Sequence, residues 1–139
     1  MPRLKALHSA ALAALLGGSL AGLAGQATAA PPAEPAQLWG AIATVDGLYG
    51  YAFNQPSRVA AENAARAQCE RKAGRAGACV VRTTFDRACG AMATGNFGEW
   101  GVASAANVAA ARKEATAQCN SHLPTEPCKV LVAVCSGGG

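Results

Sequence analysis

The sequence contains little charge, few aromatic residues and very little histidine. Among its 139 residues, 14% are charged and 5% are aromatic, whereas 51% are hydrophobic. This composition excludes a charged disordered chain and a coiled-coil rod, and the length suits one small globular domain. The two histidines are His8 and His122. Because His8 lies in a predicted leader, mechanisms that need two imidazoles are excluded for the processed chain.

Motifs typical of enzymes or zinc sites are also missing. The sequence has no C-x-x-C pair, so a zinc site made from one histidine and widely spaced cysteines is a poor alternative to disulfides. It has no G-x-S-x-G, and its eight acidic residues form no recognisable catalytic pair. We therefore expect no cofactor, no bound metal and no catalytic residue.

The N-terminal residues predict a secretory signal peptide over residues 1–29. Arg3 and Lys5 give a positively charged start, and an Ala/Leu-rich stretch interrupted by glycines follows from Ala10 to Leu23. This stretch is too short and too interrupted to span a bilayer. We expect no stable membrane anchor after cleavage.

The cleavage site is predicted from small residues. Ala27 and Ala29 favour a cut before Ala30, and a cut one residue later remains an alternative. Residues 30–38 are rich in alanine and proline and predict a short tether. The folded domain is expected over residues 39–136.

The charge balance argues against a nucleic-acid partner. The formal net charge of the whole sequence is +4, and two of its twelve basic residues lie in the leader. The processed chain therefore carries a net charge of +2, which is too weak a signal for nucleic-acid binding.

The cysteines predict an oxidising compartment. There are six, an even number, and all of them follow the leader. In a short exported chain this pattern is typical of three disulfides. We expect a periplasmic or secreted protein. The cysteines are Cys69, Cys79, Cys89, Cys119, Cys128 and Cys135.

The sequence contains an internal repeat with an offset of 50 residues. Gly40–Thr44 aligns with Gly90–Thr94, and Ala65–Cys69 aligns with Ala115–Cys119. Ten of the thirty positions from 40 to 69 are identical to their partners, and the shared Gly, Thr, Gln and Cys do not depend on the high alanine content. The repeats are predicted at about residues 39–88 and 89–136.

Each repeat predicts the order ββαβ, so the fold class is α+β, with two tandem ββαβ repeats in one small disulfide-stabilised domain. Turn residues separate the strands, and a Ser or Asn opens each helix. In the first repeat the expected elements are strands at Trp39–Val45, around Tyr49–Phe53 and at Cys79–Phe85, with a helix from Pro56-Ser57 to about Lys72. In the second they are strands at Cys89–Thr94, Glu99–Ala103 and Cys128–Cys135, with a helix from Asn107 to Cys119.

Two finer expectations follow from strand patterns. Alternation predicts that Val81, Thr83 and Phe85 share one face of their strand. The run Lys129–Val134 is apolar on both faces, which predicts a central strand covered on both sides.

The repeat also restricts the disulfides, which the cysteine count alone would leave at fifteen pairings. Cys69 and Cys119 end equivalent helices, and the cysteines that follow each of them open equivalent strands. The simplest symmetric solution is Cys69–Cys79 and Cys119–Cys128, which leaves Cys89–Cys135.

Basic and aromatic residues supply a candidate binding surface. Seven basic residues lie between Arg58 and Arg87, against three acidic ones. They could receive an anionic partner, although a solvated helix face is the alternative. The aromatic residues are candidates with an alternative role in the core. The candidate surface is Tyr49, Tyr51, Arg66, Arg71, Lys72, Arg75 and Trp100.

The repeated motifs resemble a known family. They include Trp39-Gly-Ala-Ile-Ala, Tyr49-Gly-Tyr-Ala-Phe-Asn-Gln, Ala88-Cys-Gly-Ala, Trp100-Gly-Val-Ala and Cys128-Lys-Val-Leu-Val-Ala-Val-Cys. Together they resemble domain of unknown function 4189 over residues 39 to 135. The resemblance implies an exported bacterial protein, since members of the family are typically exported bacterial proteins, some of them mycobacterial and implicated in host interaction. It supplies no established catalytic residue.

We therefore expect an exported, non-enzymatic binding module that acts on an unidentified protein or envelope component. Three alternatives remain open: a secreted effector, an inhibitor or immunity protein that neutralises a toxin, and an envelope hydrolase that uses His122 or the scattered acids. The sequence leaves the oligomeric state open.

Overall fold

The computed structural model describes residues 25–32 and 37–137. Residues 25–32 have no regular secondary structure, and the rest of the predicted leader and residues 33–36 of the tether lie outside the described residues. Residues 37–137 contain two successive ββαβ units, which confirms the predicted α+β class. The elements are β1 (Trp39–Val45), β2 (Leu48–Gln55), α1 (Arg58–Ala73), β3 (Val80–Asp86), β4 (Cys89–Thr94), β5 (Trp100–Ala105), α2 (Val108–Asn120) and β6 (Lys129–Cys135).

The ends of these elements follow from local chemistry. Asp46 and Gly47 form the β1–β2 turn with φ angles of 47° and 77°, as a type I′ hairpin turn requires. Ser57 and Asn107 are N-caps whose side-chain oxygens accept the backbone N–H three residues later, at 3.1 and 2.9 Å. Gly74 ends α1 in the left-handed conformation that glycine adopts without strain.

Each unit forms a three-stranded antiparallel sheet, with the orders β2-β1-β3 and β5-β4-β6. The prediction of a central final strand is therefore wrong, because β6 lies at an edge. Val130 and Ala133 of β6 pack with the core beneath α2, whereas Val132 and Val134 pack between the two sheets. Both faces of β6 are covered, which explains its apolar run without a second strand neighbour.

One helix packs on the outer face of each sheet through small side chains. In α1 the buried residues are Ala61, Ala65 and Cys69, spaced four apart, and α2 repeats this pattern. The helices approach the sheets so closely that a Cβ atom at Gly50 would collide with the α1 backbone. Gly101 faces the α2 backbone in the same way. These two glycines permit the close contact between helix and sheet.

The inner faces of the sheets share a core. Ile42, Phe85, Met92 and Val102 form one buried cluster that draws on strands from both sheets. The ring of Phe85 occupies the space that side chains at Gly40 and Gly90 would fill. One aromatic ring thus packs against the central strands of both sheets, and this contact joins the two units.

A β-bulge at Arg82 interrupts the alternation of β3. Ile42 pairs with Thr83, whereas Ala43 pairs with Val81, so the residue between them has no register partner. The prediction that Val81, Thr83 and Phe85 share one face is wrong. Val81 packs with the core beneath α1, and Phe85 packs between the sheets, because the extra residue reverses the alternation.

Three disulfides link residues 37–137. They join Cys69 to Cys79, Cys119 to Cys128, and Cys89 to Cys135, the same pairs that the repeat predicts. The third bond joins Cys89 of β4 to its register partner Cys135 of β6. The equivalent positions of the first unit are Trp39 and Asp86, so that unit has no matching disulfide. Three disulfides indicate an oxidising compartment outside the cytoplasm. Neither helix of the described ranges has the length and apolar character needed to cross a membrane.

The end of the second unit is hydrogen-bonded to the first. Ser136 is fully buried, and its Oγ accepts the backbone N–H of Asn54 at 2.6 Å. The Asn54 side chain in turn accepts the N–H of Gly137 at 2.8 Å. These bonds hold the chain end of the second unit against β2.

Candidate functional site

Two cavities meet at Arg82 and Trp100, which line both of them. Each has a volume of about 450 Å³, within the range of small-ligand sites. One opens beside the β1–β2 turn, and the other beside the C-terminal end of α2. We call the pair the Arg82–Trp100 groove. Its other lining residues are Thr44, Asp46, Gly47, Val81, Met92, Gly98, Val102, Gln118 and His122.

The bulge in β3 places Arg82 at this groove. The second unit has the same bulge in β6, where Leu131 lies between the partners of Met92 and Ala93. Leu131 is 45% exposed. Since the matching bulge forms around a leucine, the backbone geometry does not require a cation at Arg82.

Two contacts fix the guanidinium of Arg82. Its Nε donates to Oγ1 of Thr44 at 3.0 Å, and Thr44 is only 4% exposed. The guanidinium carbon lies 4.5 Å from the centroid of the Trp100 ring, well within cation–π distance. Arg82 forms no ion pair with any residue of the described ranges. The positive charge therefore stays available to a ligand.

An ion pair lies at the rim of the groove. Asp46, which lines one cavity, accepts a bond from Nη2 of Arg75 at 3.0 Å. Both side chains are well exposed, so the pair adds little to stability. It does offset the negative charge of Asp46, so that Arg82 leaves this part of the groove with a net positive charge.

A second cation–π pair lies beside the groove. The Nζ of Lys72 is 4.2 Å from the centroid of the Tyr49 ring and donates to the Tyr49 carbonyl at 2.8 Å. Tyr49 is the register partner of Thr44. Thr44 therefore lies between the Lys72–Tyr49 pair and the Arg82–Trp100 pair.

One edge strand of each sheet, β2 in the first and β5 in the second, is covered by a glutamine side chain. Gln68 accepts the N–H of Tyr51 on β2, and Gln118 accepts the N–H of Val102 on β5, both at 2.6 Å. These matching contacts place Trp100 where the first unit has Tyr49.

The units differ at the next outward carbonyl. In the first unit, Nζ of Lys72 donates a hydrogen bond to the backbone carbonyl of Tyr49. In the second unit the position equivalent to Lys72 is His122, whose side chain forms no hydrogen bond with residues 37–137. The equivalent carbonyl, that of Trp100, has no side-chain donor in these residues. The second unit is thus more open than the first at this end.

The predicted surface residues fall into three groups. Tyr49, Lys72, Arg75 and Trp100 lie in or beside the groove, as described above. Tyr51 is half-buried and stacks on Tyr49 and Phe53, with ring centroids 6.5 and 6.4 Å apart. Arg66 donates to Asn63 on the surface of α1, and Arg71 is exposed on the same helix.

Sequence reasoning counted Arg82 among the seven basic residues but left it out of the candidate surface, and it missed Thr44 and the position of Asp46. The expected alternation placed Arg82 on the face opposite Phe85, and only the bulge brings it to Thr44. No residue type in β3 marks that bulge. The equivalent residue at the β6 bulge is a leucine. Comparison of the two repeats therefore gave no reason to single out Arg82.

The described residues contain no group of three or more side chains suited to hold a metal ion. His122, for which a solvated loop position is predicted, is exposed and lines one cavity of the groove. The Glu99 carboxylate accepts the backbone N–H of Phe97 at 2.9 Å in the β4–β5 turn. This contact gives Glu99 a structural role in the turn.

The chain is similar to a known protein family. A family model described as "Domain of unknown function (DUF4189)" matches residues 39–135. No curated protein and no solved structure matches the chain.

Proposed function

The chain belongs to the DUF4189 family, and we propose that it is an exported, non-enzymatic module that binds a protein or an envelope component through the Arg82–Trp100 groove. Its place of action is the periplasm or the outside of the cell. The observation that carries the proposal is a fixed arginine stacked on a tryptophan, with no ion-pair partner among the described residues.

Export is supported by two independent features. The first is the set of three disulfides, which are stable in oxidising compartments. The second is the charged and then apolar sequence of residues 1–29, which is typical of a signal peptide.

Binding is supported by the composition of the groove. Arginine and tryptophan are the residue types most enriched at sites that dominate binding energy. Here they are held together before any ligand arrives, which limits the side-chain entropy lost on binding. The leucine at the matching bulge of the second unit indicates that such a bulge does not itself require an arginine.

The proposal is tested by partner retention. The oxidised, exported protein is immobilised and exposed to a bacterial envelope extract, alongside Trp100→Ala and Arg112→Gln. Arg112 is an exposed arginine of α2 that does not line the groove, so its variant controls for a substitution elsewhere on the surface. We expect a partner retained by the wild type and by Arg112→Gln but lost with Trp100→Ala. Equal retention by all three proteins would contradict a role for the groove.

The position of His122 keeps an envelope hydrolase as a second candidate. His122 lines one cavity of the groove with Trp100. Separate His122→Ala, Asp46→Asn and Glu99→Gln variants distinguish the two functions. A hydrolytic turnover that disappears in one of these folded variants would favour the enzyme, and turnover that is absent or unchanged favours the binding module. A toxin as the retained partner would identify an inhibitor or immunity protein, and a host protein would identify an effector.

A further inference from the structure

We propose that the Arg82–Trp100 groove binds the C-terminal carboxylate of a partner polypeptide, with Arg82 as the carboxylate-binding residue. This inference rests on the proposed function, because it names the ligand chemistry of the same groove.

The first argument is the set of donors that Arg82 leaves free. A guanidinium has five N–H donors, and the Nε of Arg82 uses one on Thr44. Its two Nη groups have no hydrogen-bond acceptor within residues 37–137. Two parallel N–H groups at the end of a guanidinium match the two oxygens of a carboxylate. Arg82 therefore presents a complete end-on fork.

The second argument is that this fork is already oriented. Thr44 is buried in β1, and its Oγ1 fixes one side of the guanidinium. The Trp100 ring lies against its face. A ligand would not have to order a mobile arginine, so more of the interaction energy appears as affinity.

The third argument concerns the charge of the anion. Asp46 lines the cavity next to Arg82, and Arg75 offsets its charge from the rim. A phosphate monoester carries up to two negative charges near neutral pH. Asp46 is paired with Arg75, and Arg82 is the one lysine or arginine that lines these two cavities among the described residues. The single positive charge of Arg82 matches the single charge of a carboxylate better than the two charges of a phosphate.

The fourth argument identifies a polypeptide end as the source of that carboxylate. In antiparallel pairing, alternate residues direct both backbone groups away from the neighbouring strand. Val102 directs its N–H outward to Gln118, so Trp100, two residues earlier in β5, has an outward carbonyl. This carbonyl has no side-chain donor in residues 37–137 and can accept the N–H of an added peptide.

Two residues after Trp100, the outer edge of β5 is blocked by a side chain. Because Gln118 occupies the N–H of Val102, an added strand cannot continue past Trp100. A chain that ends at the groove avoids this block, whereas a continuous strand does not. Trp100, which is 37% exposed, supplies apolar surface for the last side chain.

The experiment compares two peptides that differ only at their end. The probes are N-acetyl-Ala-Ala-Leu with a free carboxylate and the same peptide as its amide. The oxidised, exported protein is labelled with ¹⁵N, and the Trp100 indole N–H is followed by NMR, with Trp39 as an internal control and Trp100→Phe for assignment. We expect the acid to shift the Trp100 signal with a Kd of about 1 mM, and the amide to bind at least tenfold more weakly.

Variants assign the effect to the fork. We expect Arg82→Gln to weaken binding of the acid about tenfold or more. Arg82→Lys keeps the charge but loses the fork, and it should also bind more weakly than wild type. Arg112→Gln, at an exposed arginine of α2 outside the groove, is the charge-matched control and should bind like the wild type.

Two further probes test the identity of the ligand. N-acetyl-leucine retains the carboxylate without the peptide, and it should bind more weakly than the tripeptide acid. Inorganic phosphate should also bind more weakly. If either binds as tightly as the tripeptide acid, the assignment to a polypeptide end is wrong.

Failure of this inference is distinguishable from failure of the proposed function. Equal binding of acid and amide, with a shift of the Trp100 signal, would overturn carboxylate recognition while leaving a binding groove. No shift with either peptide would also overturn the inference. Partner retention by the Trp100→Ala variant decides the proposed function independently.

Discussion

Replacement of Phe85 by alanine should destabilise the protein more than any exposed aromatic replacement. The ring is 3% exposed and lies between the backbones at Gly40 and Gly90. Those glycines have no side chains that could move into the vacated space, so the cavity would persist. Loss of the ring would weaken the contact that joins the two sheets.

The expected magnitude follows from buried phenylalanines in other cores. Phe→Ala replacements at such positions cost about 3–5 kcal/mol, the lost transfer free energy plus the cavity. Small domains have total unfolding free energies of about 5–15 kcal/mol. The variant should therefore lose a large share of its stability.

The matched control is Phe53→Ala, which removes the same ring from β2. Phe53 is 47% exposed, so we expect a loss below about 1 kcal/mol. The assay is urea unfolding of both oxidised variants and the wild type. With slopes of about 1–3 kcal/mol per molar urea, Phe85→Ala should lower the midpoint by about 2 M. A shift no larger than that of Phe53→Ala would refute the shared core between the sheets.

Three further stability predictions use the same assay. Gly101→Ala should cost about 1–3 kcal/mol, because the new methyl meets the α2 backbone; unchanged stability would contradict the close helix contact. Serine replacement of both cysteines of the Cys89–Cys135 bond, which are 46 residues apart, should cost about 4 kcal/mol of unfolding free energy. The same replacement at the Cys69–Cys79 bond, with a separation of 10, should cost about 3 kcal/mol. The opposite order would argue against loop length as the cause. Ser136→Ala should cost about 1 kcal/mol through the lost bond to the N–H of Asn54, and a neutral result would show that water replaces it.

Local signals explain why the elements were predictable. The Asp46-Gly47 turn, the N-caps Ser57 and Asn107, and Gly74 after α1 all act within a few residues, so their effects can be read directly from the sequence. The repeat extended these predictions to the second unit. It also suggested the cysteine pairs, because equivalent positions in a duplicated unit have equivalent neighbours.

Non-local packing explains what the sequence did not reveal. The apolar run of β6 indicates that residues pack against both faces of this strand. It does not indicate whether β6 pairs with one neighbouring strand or with two. The bulge at Arg82 depends on how β3 pairs with β1, which no residue type in β3 specifies. The candidate site depends on this bulge and on the stacking of the two sheets, since Arg82 and Trp100 belong to different sheets.

The measurement that tests the functional account most directly is made on Arg82→Leu, which gives β3 the residue found at the matching bulge of β6. Urea unfolding and retention of the envelope partner are measured on the same preparation. We predict that the variant stays folded with a loss of about 1–2 kcal/mol in unfolding free energy, because the hydrogen bond to Thr44 and the contact with Trp100 are removed, together with loss of the partner. Full retention of the partner by a stably folded variant would contradict the assignment of Arg82 to binding.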